Sequence, residues 1–221
     1  SGKTLTLTEL SAKDYGKGGM HASGRADLSP GEGFSLDAKA AFDALTVVNM
    51  DLAKATLSGQ IGATGKGSAM AVTGKLFVGP AQVNIPSRLP PDVTDVAVVE
   101  VNNPDAPKTA SKPKDTAPGP ASDITLDVTV GVGNGVYVRG MGLESEWQGE
   151  ITATGTAAAP HLVGGIYTLQ GGGIEFFGRR LELVKGQVTF NGGTPPDPSL
   201  DVEASIAASD ATCGVLVTGT G

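Results

Sequence analysis

Cysteine is almost missing from this chain: Cys213 stands alone among 221 residues. No internal disulfide can form, so a small domain stapled by disulfides is excluded, while the redox compartment stays open. Cys213 is expected to be a small, partly buried residue near a strand. Aromatic residues make up only 5%, too few for a thick aromatic core. No apolar run approaches the roughly 20 residues that a membrane-spanning helix needs; Val96-Ala-Val-Val99 is typical of the longest. Basic residues are also scarce, with 16 Lys and Arg against 23 Asp and Glu and a net charge of −7. A nucleic-acid binder needs a basic stripe to displace counterions, and none is present. The same acidity argues mildly against adhesion to anionic lipid head groups. The chain opens on Ser1-Gly2 without a leader and closes in mid-pattern at Val215–Gly221. It is therefore expected to be a piece of a longer protein, with any anchor or export signal outside it.

Groupings that do bond chemistry are equally scarce. There is no Gly-x-Ser-x-Gly elbow, and His21 and His161 have no Cys, His or carboxylate at metal-ligand spacing. His161 follows Pro160 and reads as a solvated turn residue. Gly62-Ala-Thr-Gly-Lys-Gly67 loosely resembles a phosphate loop, but the spacing is wrong and Lys66 is not followed by Ser or Thr. Gly131-Val-Gly-Asn-Gly135 reads as a hairpin turn. The expectation is a protein that is not an enzyme and carries no cofactor and no metal.

Glycine and alternation are abundant. Gly is 33 of 221 residues, about twice the usual share, and Pro is 14, which suits many tight turns. Between the turns, apolar residues recur at every second position, the period of a strand with one apolar face. Leu5 and Leu7 begin this pattern; Ala22, Gly24, Ala26 and Leu28 continue it. Leu57, Gly59, Ile61, Ala63 and Gly65 follow, then Met70, Val72, Gly74, Leu76 and Val78, then Ala81, Val83 and Ile85. Residues 34–45 are ambiguous. Phe34, Leu36, Ala38, Ala40 and Phe42 alternate as a strand, while Ala38, Ala41, Phe42 and Leu45 share a helical face. Strand is favoured by context, and any short helix is expected near 36–45. Residues 96–101 are apolar apart from Glu100, a pattern of burial on both faces or of an edge packed by a loop. A weak echo of small-apolar strand and glycine turn around 57–67, 147–155, 165–171 and 181–186 suggests stacked, quasi-one-dimensional strands.

Three stretches follow: a β-repeat region at 1–101, a break at 102–123 and a second β region at 124–221. The break holds five prolines and no large apolar residue. It cannot bury enough surface to offset ordering entropy and is expected to be a mobile loop or linker.

From Ile124 onward the text is Val136-Tyr-Val-Arg-Gly-Met-Gly-Leu143, Trp147-x-Gly149, Thr154-Gly155, Pro160, Gly164-Gly165, Gly171, Leu181-x-Leu183-x-x-Gly186-x-Val188-x-Phe190 and Pro198-x-Leu200-x-Val202-x-Ala204. In order and spacing these boxes resemble the conserved C-terminal domain of the TamB family, the inner-membrane component of the translocation and assembly module. The first hundred residues are similar to the looser repeats upstream in such proteins. The resemblance implies an all-β, elongated, U-shaped sheet (a β-taco) with an apolar concave face and few or no helices. It implies a periplasmic protein tethered to the inner membrane through segments outside this stretch, working with a TamA-like outer-membrane β-barrel assembly partner. It also implies a role in inserting outer-membrane proteins, autotransporters among them, or in moving phospholipid between the two membranes.

An apolar trough must hold something apolar and elongated, or aggregate. Acyl chains suit it, because each CH₂ removed from water contributes about 0.8 kcal/mol without needing a polar partner. An unfolded outer-membrane strand, apolar on alternate residues, suits it too. The residues expected to line the trough are Ile124, Leu126, Val128, Val136, Val138, Trp147, Ile151, Leu169, Ile174, Phe176, Leu181, Leu183, Val188, Phe190, Leu200, Val202 and Ile206. Their neighbours, such as Glu150, Glu182, Asp201 and Glu203, are expected on the wet side. A bulge near Gly171-Gly-Gly173 would flip the phase of everything after it. A charge at Leu183 or Val202 should then block the trough with little loss of fold. A structural or adhesive β-solenoid without a ligand groove is the other class the alternation permits; uneven strand lengths and glycine-rich faces argue against it.

Overall fold

Strict alternation with β-branched residues and frequent glycine turns leaves the backbone one economical solution, a meander of long strands. The computed structural model describes residues 3–14, 16–29, 33–86, 123–169, 171–207 and 212–220. The Pro-rich stretch up to residue 122 and the apolar run at 96–101 lie outside the described residues; Asp123 opens a strand. Twelve strands form one sheet: β1 (Lys3–Lys13), β2 (Gly19–Ser29), β3 (Gly33–Asn49), β4 (Ala53–Lys66), β5 (Ala69–Asn84), β6 (Asp123–Gly140), β7 (Leu143–Thr156), β8 (Ala159–Thr168), β9 (Gly173–Phe176), β10 (Arg179–Asn191), β11 (Pro198–Ala207) and β12 (Thr212–Thr220). No helix occurs among the described residues. The ambiguous segment at 36–45 lies inside β3, where alternation against β2 and β4 prevails over the alanine-rich helical face.

Strand order follows the chain, with β9 set beside β7 and β10. Every neighbouring pair is antiparallel except β5 and β6, which run parallel with Ala69 opposite Asp123 and Asn84 opposite Arg139. A pure chain of hairpins does not describe this point, because a parallel neighbour needs a crossover connection rather than a tight turn. Extensive contacts run only between hydrogen-bonded neighbours. The outermost strands, β1 and β12, do not pair with each other, so the sheet is open.

The sheet is curved by irregularities that line up. Register shifts fall at Thr46/Val48 on β3, Val78/Ala81 on β5 and Val132/Val136 on β6. All lie between the row of partners through Leu57 and the row through Ala55. Bulges bend the strands that carry them, so adjacent bulges crease a sheet along a line. A second device is the break between β8 and β9. These two occupy one strand position between β7 and β10. From Thr168 to Gly173 is five steps, against three from Trp147 to Glu144 on β7. Two extra residues restore the alternation, so the glycine cluster at 171–173 does not flip the phase.

The β1–β2 turn is tied to β3 by Asp14. Its carboxylate accepts the Thr46 amide at 2.9 Å and the amides of Gly16 and Gly18 at 2.8 and 3.0 Å. Hydrogen bonds from Thr46, from side chain and backbone, and from Gly16 and Gly18 hold the Asp14 carboxyl below its ordinary value, at about 2. A depressed carboxylate adds stability that is present above its unfolded value and is lost as pH falls through the folded one. Asp14→Asn should therefore lower the urea midpoint at neutral pH and flatten its decline between roughly pH 4 and pH 2. An unchanged acid profile would show that Asp14 does not brace this corner.

Candidate functional site

The register sorts the side chains onto two faces. One row of Cα partners runs Ala12, Met20, Phe42, Gly59, Leu76, Val130, Ile151, Gly164, Phe190, Pro198, across β1 to β8 and on to β10 and β11. A parallel row runs Leu7, Gly24, Ala38, Ala63, Val72, Leu126, Gly155, Pro160. Neither contains a polar residue. On the other face the row is His21, Ala41, Gln60, Lys75, Thr129, Thr152, Val163, Asn191. Ion pairs are made there, Lys75 to Glu150 at 3.0 Å and Lys185 to Asp201. One apolar face is therefore continuous across the sheet, over roughly 50 Å at the usual strand spacing.

Very little covers that face. Among the described residues only Ala81, Val136, Leu181, Leu183 and Ala204 are buried hydrophobics. Leu5, Leu7, Leu10 and Leu28 are 45–70% exposed on the first two strands. A depression of about 390 Å³ is floored by Gly24, Ala38 and Ala63 and flanked by Leu5, Leu36, Ile61 and Val72. A larger hollow of about 870 Å³ lies on the polar side of the same strands, around His21, Lys39, Gln60 and Lys75. A twisted sheet is saddle-shaped, so both faces are concave along different diagonals; the hollows differ in chemistry rather than in shape.

The residues expected to line the trough fall as follows. Ile124, Leu126, Val128, Val136 and Val138 of β6, Trp147 and Ile151 of β7, Val188 and Phe190 of β10, and Leu200, Val202 and Ile206 of β11 all carry the apolar phase. Ile174, Leu181 and Leu183 share it through the pairs Leu143–Ile174, Ile174–Leu181 and Leu183–Ala204. The switch of parity between Leu183 and Val188 is made by the register shift at Val184, whose side chain is 59% exposed. Phe176 carries the phase to the tip of a hairpin. Leu169 departs from it: Thr168 stands opposite Trp147, and Leu169 falls in the break after β8, where its amide donates to Glu146 O. Glu150, Asp201 and Glu203 pair on the polar side.

Leu183 does not sit mid-trough. It is 6% exposed and clusters with Leu181 and Ala204, against which Ile174, Val202, Ile206 and Val215 pack. A charge at Leu183 meets a local core, so the expectation of little folding loss there is corrected. Ser145, the buried polar residue, adjoins this end; its Oγ accepts from Trp147 Nε1 at 2.9 Å and donates to Val138 O. The N-terminal half of the face, with Leu36, Ala38, Ile61 and Val72, lies outside the expected lining although its alternation is as clear. Cys213 is exposed in β12 opposite Ile206, because an edge strand lacks a neighbour on one side.

Among the described residues these features define a single-layered, open, all-β sheet whose distinguishing surface is an apolar face. Among the described residues no group of His, Cys, Asp and Glu is placed to hold a metal ion. A family model for the TamB C-terminal domain matches residues 8–221. The chain belongs to the TamB family, whose theme is translocation and assembly. No curated protein matches the chain.

Proposed function

We propose that the apolar face is a sheltering passage for the acyl chains of phospholipid, in a TamB-like protein that spans the periplasm and serves outer-membrane assembly. The observation that carries this reading is the continuity of apolar partner rows from β1 to β11. An acyl chain needs no hydrogen-bond partner and can slide along such rows at nearly constant energy, since neighbouring positions are chemically alike. Tethering to the inner membrane and cooperation with a TamA-like barrel belong to this reading through the family. A second reading has a specific observation in its favour. All described residues of edge strand β1 are exposed, Leu5, Leu7 and Leu10 among them. An unfolded outer-membrane strand could add there by backbone pairing, with autotransporters among the clients.

The test is photo-crosslinking in the intact parent protein. A photoreactive residue at Val72 or Ile151 should capture lipid, and one at Lys75 or Glu150 should not. Capture of outer-membrane polypeptide alone from Val72 and Ile151 would favour the second reading. Equal labelling from both faces would remove the apolar face as the site.

A further inference from the structure

The strands run from one long margin of the sheet to the other, so the turns form two rims, and these rims differ. One carries the two-residue turns Gly67–Ser68 and Ala157–Ala158 and the link at 192–197, with no aromatic, Met, Leu, Ile or Val side chain among them. The other carries the turn at Met50–Leu52, Ile85 just past the end of β5, and the turns Met141–Gly142 and Phe177–Gly178. These features are contiguous. Asn84 N donates to Leu52 O, Ile85 N to Arg139 O and Glu175 N to Gly142 O.

Two of these turns hold a residue that folding would not select. Two-residue hairpin loops with positive φ at both positions strongly prefer Asn-Gly or Asp-Gly. Here φ is 52° and 83° at Met141 and Gly142, and 48° and 73° at Phe177 and Gly178. A bulky residue in that region is strained. It also gains no burial, since Met141 is 68% and Phe177 92% exposed. Strain and exposure together, at adjacent tips of one rim, call for a contact outside the molecule. Phe176 and Phe177 meet edge to face at 4.6 Å between ring centroids, forming a projecting wedge. Beside it, Arg139 and Arg180 share the single carboxylate of Glu144 at 3.5 and 3.4 Å, and Arg179 makes no ion pair among the described residues.

We propose that this rim is a membrane-contact edge, with Phe176 and Phe177 entering the head-group region of a phospholipid bilayer and Arg179 and Arg180 meeting its phosphates. A protein groove would need matching concavity, whereas a convex aromatic wedge with arginines beside it suits the yielding, anionic interface of a bilayer. The net charge of −7 opposes the approach; at the wedge Arg139, Arg179 and Arg180 stand against Glu144 and Glu175, so the attraction rests on Arg179, and charges beyond about 10 Å are screened. The inference is independent of what occupies the apolar face.

Flotation of the chain with vesicles of phosphatidylethanolamine and phosphatidylglycerol tests it. The chain should float, and Phe177→Asp should weaken binding about tenfold or more. Aspartate tolerates the left-handed conformation, so the variant's circular dichroism and melting should match the parent or improve on it. Arg179→Glu should weaken binding several-fold and reduce the preference for these vesicles over phosphatidylcholine. Ala158→Asp on the opposite rim should leave flotation unchanged. No flotation of the parent chain, or flotation of Phe177→Asp equal to it, overturns the proposal. So does loss of flotation in Ala158→Asp equal to that in Phe177→Asp, which would mean that binding is not confined to this rim.

Discussion

Aspartate at Val72 is expected to abolish retention of an acyl-chain probe with the fold intact, and aspartate at Leu183 is expected to unfold the end of the sheet where it sits. Both residues carry the same apolar phase, so their difference lies in what surrounds them. Val72 flanks the depression over Gly24, Ala38 and Ala63 and is half-buried. A carboxylate there hydrates when the face is empty and costs about 1 kcal/mol of stability, mainly through lost apolar area and β propensity. When an acyl chain lies over it, the charge must be desolvated, and tenfold in affinity is only about 1.4 kcal/mol. Leu183 is 6% exposed within the cluster with Leu181 and Ala204. A charge there has no partner and no water, and the loss should reach about 4 kcal/mol or more. Urea unfolding beside titration with a fluorescent fatty acid measures both. Binding by Val72→Asp equal to the parent would discard the depression as a site. Equal stability losses for the two variants would show that the apolar face is uniformly open.

Substituting alanine at Gly149 or Gly164 is expected to cost about 3 kcal/mol or more at either position. Both lie on the apolar phase of the β7–β8 pair, opposite Ile166 and Ile151 respectively. Gly149 has φ 149° and Gly164 φ 120°, a region essentially reserved for glycine. A Cβ on Gly149 would fall 2.1 Å from Gly165 O, and one on Gly164 2.3 Å from Glu150 O. The obstacle in each case is the neighbouring strand's backbone, which cannot move without breaking the pair. Gly219 in edge strand β12 has nothing within 4 Å of its Cβ direction. Gly219→Ala should be neutral or slightly stabilising through the unfolded chain. Midpoints of chemical unfolding decide the matter. A Gly149→Ala midpoint like that of Gly219→Ala would mean that the strands relax around the methyl group.

Alternation in the sequence was sufficient for the strands and their two faces. Within each stretch of strand between bulges, side chains spaced two apart point the same way whatever lies beside them, because the pleat is a local property of the backbone. Hence the apolar residues of β6, β7 and β11 share one phase in the register, and no helix forms near Ala38–Leu45 among the described residues. The family was legible too, because glycine turns and apolar boxes keep their order along the chain. What depends on contacts between distant residues was not legible. The parallel pairing of β5 with β6 joins residues on either side of the Pro-rich stretch, and alternation is blind to strand direction. The parity change at Val184, and its preservation through the two-residue insertion after Thr168, follow from how β10 and β8 meet their neighbours. That Leu183 is enclosed while Val72 is open is a matter of packing, which periodicity does not encode. The two rims emerge only when turns far apart in sequence, Met50–Leu52, Met141–Gly142 and Phe177–Gly178, are brought side by side by hydrogen bonding across the sheet. The chain alone determined a face; the tertiary structure decided where that face is open, where it is closed and which rim projects its aromatic rings, because those properties are set by neighbours that only folding supplies.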